Sequence, residues 1–275
     1  FALNVNTEYL ASRYPEVQPL EFYRDLFPCG ELERRGEYVT GMYNAIAVKI
    51  VGRRKAERYT VCDDLKPIEE LVSGTDFVVI SPVSYAGKEQ SQRNARNLYA
   101  LAFDLDGLLV ENGEPTGLKN FIHQFSVAQP AFHPTPTYLV SSGNGLHVYY
   151  FLEKPIPLFP NVIEQLRNYR AYFVKRAWNR YVTSLSRNPQ FESVTQPFRA
   201  VGSVAKDGKQ RVRAFRVGPR VTVEDLNAAC VDDAAKIGTF AYKSDLTLAQ
   251  AKEKYPDWYH QRVELKQPAS TWTVK

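Results

Sequence analysis

Sulfur is scarce in this chain: three cysteines and one methionine in 275 residues. Cys29, Cys62 and Cys230 lie far apart, are odd in number and fall in no CxxC spacing. That argues against a disulfide framework or a zinc site, and suits a reducing cytoplasm. No apolar run approaches the roughly eighteen residues of a membrane span, and no signal-peptide pattern follows Phe1. The chain has no GxxxxGK[ST] phosphate loop. Repeats and low-complexity tracts are also missing. With no initiator Met and a polar close, PASTWTVK, the expectation is a segment cut from a longer protein.

Strong net charge is missing too, at +5, but its distribution is uneven. Lys206, Lys209, Arg211, Arg213, Arg216 and Arg220 face only Asp207 within their stretch, and Lys49, Arg53, Arg54, Lys55 and Arg58 face only Glu57. Such runs are the electrostatic footprint of nucleic-acid binding, although a solvated face produces the same pattern. The 44% apolar and 24% charged content excludes wholesale disorder.

What is present mixes strands with helices. Strands are expected at 44–51, 58–62, 76–83, 99–106, 137–142, 146–152 and 211–217. Helices are expected at 65–73, 115–125, 161–182, 222–230 (Thr222 as N-cap) and 245–254. In the longest, Val162, Leu166, Tyr169, Phe173 and Ala177 form the apolar stripe, with Arg167, Arg170, Lys175 and Arg180 placed elsewhere. The turn GNG between 137–142 and 146–152 reads as a hairpin, hence antiparallel pairing and an α+β arrangement.

The stretch LAFDLDG (101–107) carries Asp104 and Asp106 on one face of a strand, since residues i and i+2 point the same way. Paired carboxylates repel unless a cation neutralises them, and magnesium or manganese prefers oxygen ligands. Downstream, YLVSSGNGLHVYYFL places Ser141, Ser142, Gly143, Asn144 and Gly145 in a turn able to cradle a phosphate. His147 stands on the following strand and is suited to bond the same anion. His123, His133 and His260 have no such setting and read as structural.

Two families begin this way. FDLDGLLV resembles the first motif of haloacid dehalogenase-type phosphatases, with Asp104 as nucleophile. That family needs a later lysine and an acidic pair after an apolar strand, and Asp232-Asp233 instead reads as a helix end. An acidic strand ending in DLD followed by S-G-N-G-x-H resembles the archaeo-eukaryotic primase superfamily, particularly the primases and primase-polymerases of phages, plasmids and integrated elements. Its third motif is an acid before R-x-x-G-[ST], which ESVTQPFRAVGS (192–203) resembles through Arg199, Gly202 and Ser203, with Lys206 following. Glu192 is then the third acid where the family more often has Asp, and Asp207 is the fallback.

This second resemblance implies an RRM-like antiparallel or mixed sheet with an N-terminal α/β unit. It divides the chain into an N-terminal part (1–75), a catalytic core (76–220) and a helical extension (221–275). It also implies nucleotidyl transfer with two divalent ions, Mg2+ or Mn2+, held by Asp104, Asp106 and Glu192. Ser142, Gly143, Asn144, Gly145, His147, Arg199 and Lys206 would hold NTPs or dNTPs. Lys209, Arg211, Arg213 and Arg216, with the cationic face of the 161–182 helix, would track a single-stranded DNA template, and Tyr149 or Tyr150 would offer a stacking platform. A replicative helicase, in trans or on another part of the polypeptide, is the implied partner. The alternatives are the phosphatase and a non-catalytic module that binds nucleic acid.

Overall fold

The computed structural model describes residues 4–52, 55–129, 131–143, 145–205, 208–244 and 246–266. Contacts divide the chain into two units, 1–240 and 241–275.

The first unit opens with α1 (Val5–Arg13), β1 (Glu16–Val17) and α2 (Pro19–Leu26), then β2 (Ala45–Val51), β3 (Lys55–Val61) and α3 (Lys66–Ser73). Next come β4 (Phe77–Ile80), β5 (Val83–Tyr85), β6 (Ala95–Leu105), α4 (Thr116–Ser126), β7 (Tyr138–Ser141), β8 (Leu146–Pro157) and α5 (Pro160–Ala177). β9 (Phe198–Arg199), β10 (Arg213–Arg216) and α6 (Val223–Ala228) close it. Strands form a six-stranded sheet, β1-β10-β7-β8-β6-β5, and a four-stranded sheet, β3-β2-β4-β9. Every ladder in both is antiparallel. The run β6-α4-β7-β8-α5-β10 follows the β-α-β-β-α-β order, with short β9 preceding β10. Pairing crosses the expected division at residue 75, because β2 and β4 share one ladder.

Alternation along β6 builds two cores. Leu101, Phe103 and Leu105 face the helix layer with Phe121 of α4 and Phe173 of α5. Ala100 and Ala102 face the other way, with Phe22 of α2 and Val78 of β4. Their register partners Phe151 and Tyr149 take the space that the two small residues leave. Both Tyr149 and Tyr150 are core residues, at 3% and 0% exposure, so neither offers a stacking platform. Tyr149 packs edge-on against Phe22, and the Tyr150 hydroxyl lies 2.7 Å from His133 Nδ1 on the opposite face.

Several boundaries differ from the sequence expectations for local reasons. The expected strand 76–83 is broken at Ser81-Pro82 into β4 and β5, which join different sheets; proline supplies no N–H for a continuous ladder. α5 stops at Ala177, and Trp178 turns its indole back onto the Asp104 carbonyl, 3.2 Å away. Helices α1 and α2 were not expected, whereas the Thr222 cap is present and completed by Asp225 as a capping box. Among the described residues no helix is long and apolar enough to cross a membrane.

The second unit contains α7 (Leu248–Lys254) and α8 (Pro256–Tyr259), followed by one wide helical turn at His260–Glu264. Thr247 and Gln250 form a capping box, and Glu264 pairs with both Lys252 and His260.

Candidate active site

The site lies where β6 ends. Asp104 is its penultimate residue, and directly opposite it on β8 stands His147. Asp106 follows the strand, and Gly107 (φ +68°) turns the chain so tightly that a Cβ there would lie 2.9 Å from the Ser184 hydroxyl. Thr183 Oγ1 donates to the Asp106 carbonyl at 2.6 Å and the Ser184 N–H to the Gly107 carbonyl at 2.9 Å. The segment after α5 thereby brackets the acidic pair.

The hairpin turn between β7 and β8 closes over the same spot. Gly143 takes φ +104°, a conformation that favours glycine. Ser142 donates its N–H to the Gly145 carbonyl at 3.1 Å. A Cβ on Gly145 would stand 2.7 Å from Asp106 Oδ1, 3.2 Å from Ser142 Oγ and 3.5 Å from Asp104 Oδ1. Only hydrogen at that position lets both carboxylates and the serine hydroxyl converge. His147 is buried, and burial, reinforced by the nearby Arg199 charge, pushes its pKa down to about 3. Its Nε2 is 3.8 Å from Asp104 Oδ1, too far for a hydrogen bond, and with the ring neutral no ion pair forms.

Glu192 reaches the same place from the segment before β9. Its Oε2 accepts from Arg170 Nη2 at 2.9 Å, and the nearby Asp104 N–H favours its charged form. Arg170 is itself buried, with its guanidinium 4.6 Å from the Phe103 ring centroid and Nη1 donating to the Ala102 carbonyl at 2.6 Å. Burial works against both charges, raising the Glu192 pKa and lowering that of Arg170, and each partner offsets the other's cost. Arg170 therefore does not belong to a solvent-facing basic surface. It follows Leu166 by four residues and precedes Phe173 by three, which puts it on the apolar stripe.

Two cavities flank the acidic pair. One, of about 130 Å3, is lined by Asp104, Asp106, Glu192, Trp178 and Asn188. The other, of about 340 Å3, is lined by Asp104, Asp106, Ser142, Gly145, His147 and Arg199. Gln196 borders both, and Phe77 borders the larger, with the Arg199 guanidinium 4.2 Å from its ring centroid. Gln196, Phe77, Trp178 and Arg170 escaped the sequence reading because nothing in their local pattern separates them from ordinary loop and core residues. Asn144, Lys206 and the fallback acid Asp207 lie outside the described residues, as do Arg53 and Arg54.

The basic run looks different in space. Arg211 donates to the carbonyls of Val72 and Gly74 at 2.8 and 2.7 Å, capping the end of α3. Arg213 forms a paired-nitrogen bridge to Glu16, while Arg216 and Arg220 both grip Asp25. Four of the cations thus hold partners from the first 75 residues, acids and carbonyls that are distant in sequence. Lys209 lies at the surface in the loop before β10.

No protein-family model and no curated protein matches the chain. Among solved structures it is similar to the AEP (archaeo-eukaryotic primase) domain of the cyanophage S-2L primase-polymerase. The TM-score is 0.48 and the identity 11%, covering 76% of this chain and 96% of that one.

Among the described residues no group of three His, Cys, Asp or Glu side chains is clustered as metal ligands. The donors that do converge, the carboxylates of Asp104 and Asp106 beside the space at Gly145, are hard oxygens of the kind a divalent magnesium or manganese ion takes. The two aspartates fit such an ion.

Proposed function

We propose that this chain synthesises or extends primers on single-stranded DNA by metal-dependent nucleotidyl transfer, with β6 to β10 as an RRM-like catalytic core. The observation that carries the reading is the convergence of Asp104 and Asp106 with Ser142, Gly145 and His147 on one cleft. The motif resemblance to phage and plasmid primases supports the same reading and a role in replication of such an element, with a helicase in trans or on another part of the polypeptide.

Asp104 and Asp106 would hold the divalent ions, magnesium or manganese. Bound there, such ions supply the positive charge that offsets a triphosphate and its leaving pyrophosphate and favour ionisation of an attacking 3′-hydroxyl. The larger cavity takes the nucleotide. In it the Ser142 hydroxyl and neutral His147, through the ring nitrogen on the Asp104 side, donate to phosphate oxygens, while Arg199 adds a fixed positive charge. Catalysis by these groups is positioning and preorganised electrostatics, which is how phosphoryl transfer is usually accelerated.

The phosphatase reading has less support, because the hairpin and the antiparallel ladders on both sides of β8 leave no strand-to-helix connection after Ser142. Asp232 and Asp233, the acids that reading would use, sit in a 3₁₀ turn where Asp232 caps Ala234.

The test is a primer-synthesis assay with single-stranded DNA, labelled nucleotides and manganese. Labelled oligomers should form with the parent and disappear with Asp104→Ala/Asp106→Ala. Oligomers that persist in the double variant would rule out the proposed site.

A further inference from the structure

A strand edge without a neighbour leaves N–H and C=O groups that need other partners. From Ala102 to Leu105, β6 has β8 on one side, whereas among the described residues β5 pairs with its other edge only as far as Leu98. Alternate residues of an antiparallel strand direct both backbone groups to the same edge, so Ala102 and Asp104 share the uncovered one. Side chains meet them there. Arg170 donates to the Ala102 carbonyl at 2.6 Å and Trp178 Nε1 to the Asp104 carbonyl at 3.2 Å, while the nearby Asp104 N–H favours the charged form of Glu192. Arg170 and Glu192 are joined at 2.9 Å, and the guanidinium is braced on Phe103.

We propose that Arg170 and Glu192 are a positioning pair that braces the open edge of β6 and fixes the backbone carrying Asp104 and Asp106, with Glu192 acting as the buried counter-ion that holds Arg170 and not as a metal ligand. The inference rests on the reading of the two aspartates as the ion-binding pair. A carboxylate serving as ligand turns its oxygens to the cation. Glu192 borders the smaller cavity with Asp104 and Asp106 but commits its Oε2 to Arg170 at 2.9 Å. Buried carboxylate–guanidinium pairs of this kind hold geometry through paired hydrogen bonds, as outer-shell partners do around metal sites.

The experiment measures manganese binding to the full chain by calorimetry, without nucleotide, together with the Tm of each variant. Asp106→Asn should weaken binding by more than about 100-fold. Arg170→Lys and Glu192→Gln should each weaken it by about 10-fold, the range for lost outer-shell partners. Because the two act as one unit, the double variant should be no weaker than the weaker single one. Arg170→Gln, which keeps a donor for Ala102, takes the place of the lysine variant if that one does not fold. The proposal is overturned if the Arg170 variant binds manganese like the parent, if Glu192→Gln is as damaging as Asp106→Asn, or if the two losses multiply. Parent-like binding by Asp104→Asn and Asp106→Asn is a separate outcome: it would fail the underlying reading of the site.

Discussion

Asp104 and His147 stand directly across the β6–β8 ladder, and the Asp104 N–H and carbonyl both point away from β8, to Glu192 and Trp178. They therefore form a non-hydrogen-bonded pair, the kind in which facing side chains come closest. A neutral donor is thus fixed beside a carboxylate, with its outer nitrogen, Nδ1, buried and without a hydrogen-bond partner among the described residues. His147→Leu removes that buried polar atom, so the Tm should stay within about 3 °C of the parent or rise. Nucleotide incorporation should fall about 100-fold, as when one preorganised donor is lost. Melting curves beside steady-state kinetics check both halves.

Gly145 is where the acids, the serine hydroxyl and the turn meet. In Gly145→Ala the added methyl would stand 2.7 Å from Asp106 Oδ1, and a terminal carboxylate oxygen moves more readily than backbone. The fold should survive with Asp106 displaced. Manganese affinity and primer synthesis should both drop by about tenfold or more, while the circular dichroism spectrum is unchanged. Parent-like affinity would show that the methyl is accommodated without moving Asp106.

His133 gives a stability signal away from the site. Its ring stacks on Phe121 with 4.8 Å between centroids, and burial pushes its pKa down to about 4. The unfolded chain protonates this group near 6.5 while the folded protein does not. Stability is therefore complete above about pH 6.5 and is lost as pH falls toward 4, by on the order of 3 kcal/mol from this group. His147 shifts in the same direction. Urea unfolding at pH 7.5 and 5.0 should show a clearly smaller loss in His133→Gln than in the parent.

Arg211 separates structural cations from DNA-binding ones. Its guanidinium already serves the carbonyls at the end of α3, where a cation also complements the helix dipole. Arg211→Ala should cost about 1 kcal/mol and lower the Tm by about 2–4 °C. The slope of template affinity against salt should stay at the parent value. A slope reduced by one contact, with the Tm unchanged, would return Arg211 to the DNA-binding surface.

Much of this organisation was legible in the sequence because it is written in local patterns. The apolar run ending in DLD lies on β6, and the turn SGNG joins β7 to β8 as an antiparallel hairpin. Period and turn chemistry operate over a few residues, so one sequence carries them. Four features were not local. The partners of Arg213 and Arg216, Glu16 and Asp25, lie almost 200 residues away, so a charge excess along the chain is balanced in space. Arg170 looked like a surface cation because its counter-ion, Glu192, arrives from another segment. Tyr149 and Tyr150 point to opposite faces, but each face is covered by a layer that strand alternation alone does not reveal. The two-residue strands β1 and β9 are defined only by their partners.

If Asp104 and Asp106 serve nucleotidyl transfer, the phosphate product reveals it. The chain would be incubated with single-stranded DNA, manganese and a γ-labelled nucleoside triphosphate, and the released label resolved as pyrophosphate or orthophosphate. Labelled pyrophosphate should appear in proportion to oligomer formed and be lost in Asp104→Ala/Asp106→Ala. Orthophosphate alone, released without template and dependent on Asp104, would contradict it and make Asp104 a nucleophile of phosphate hydrolysis.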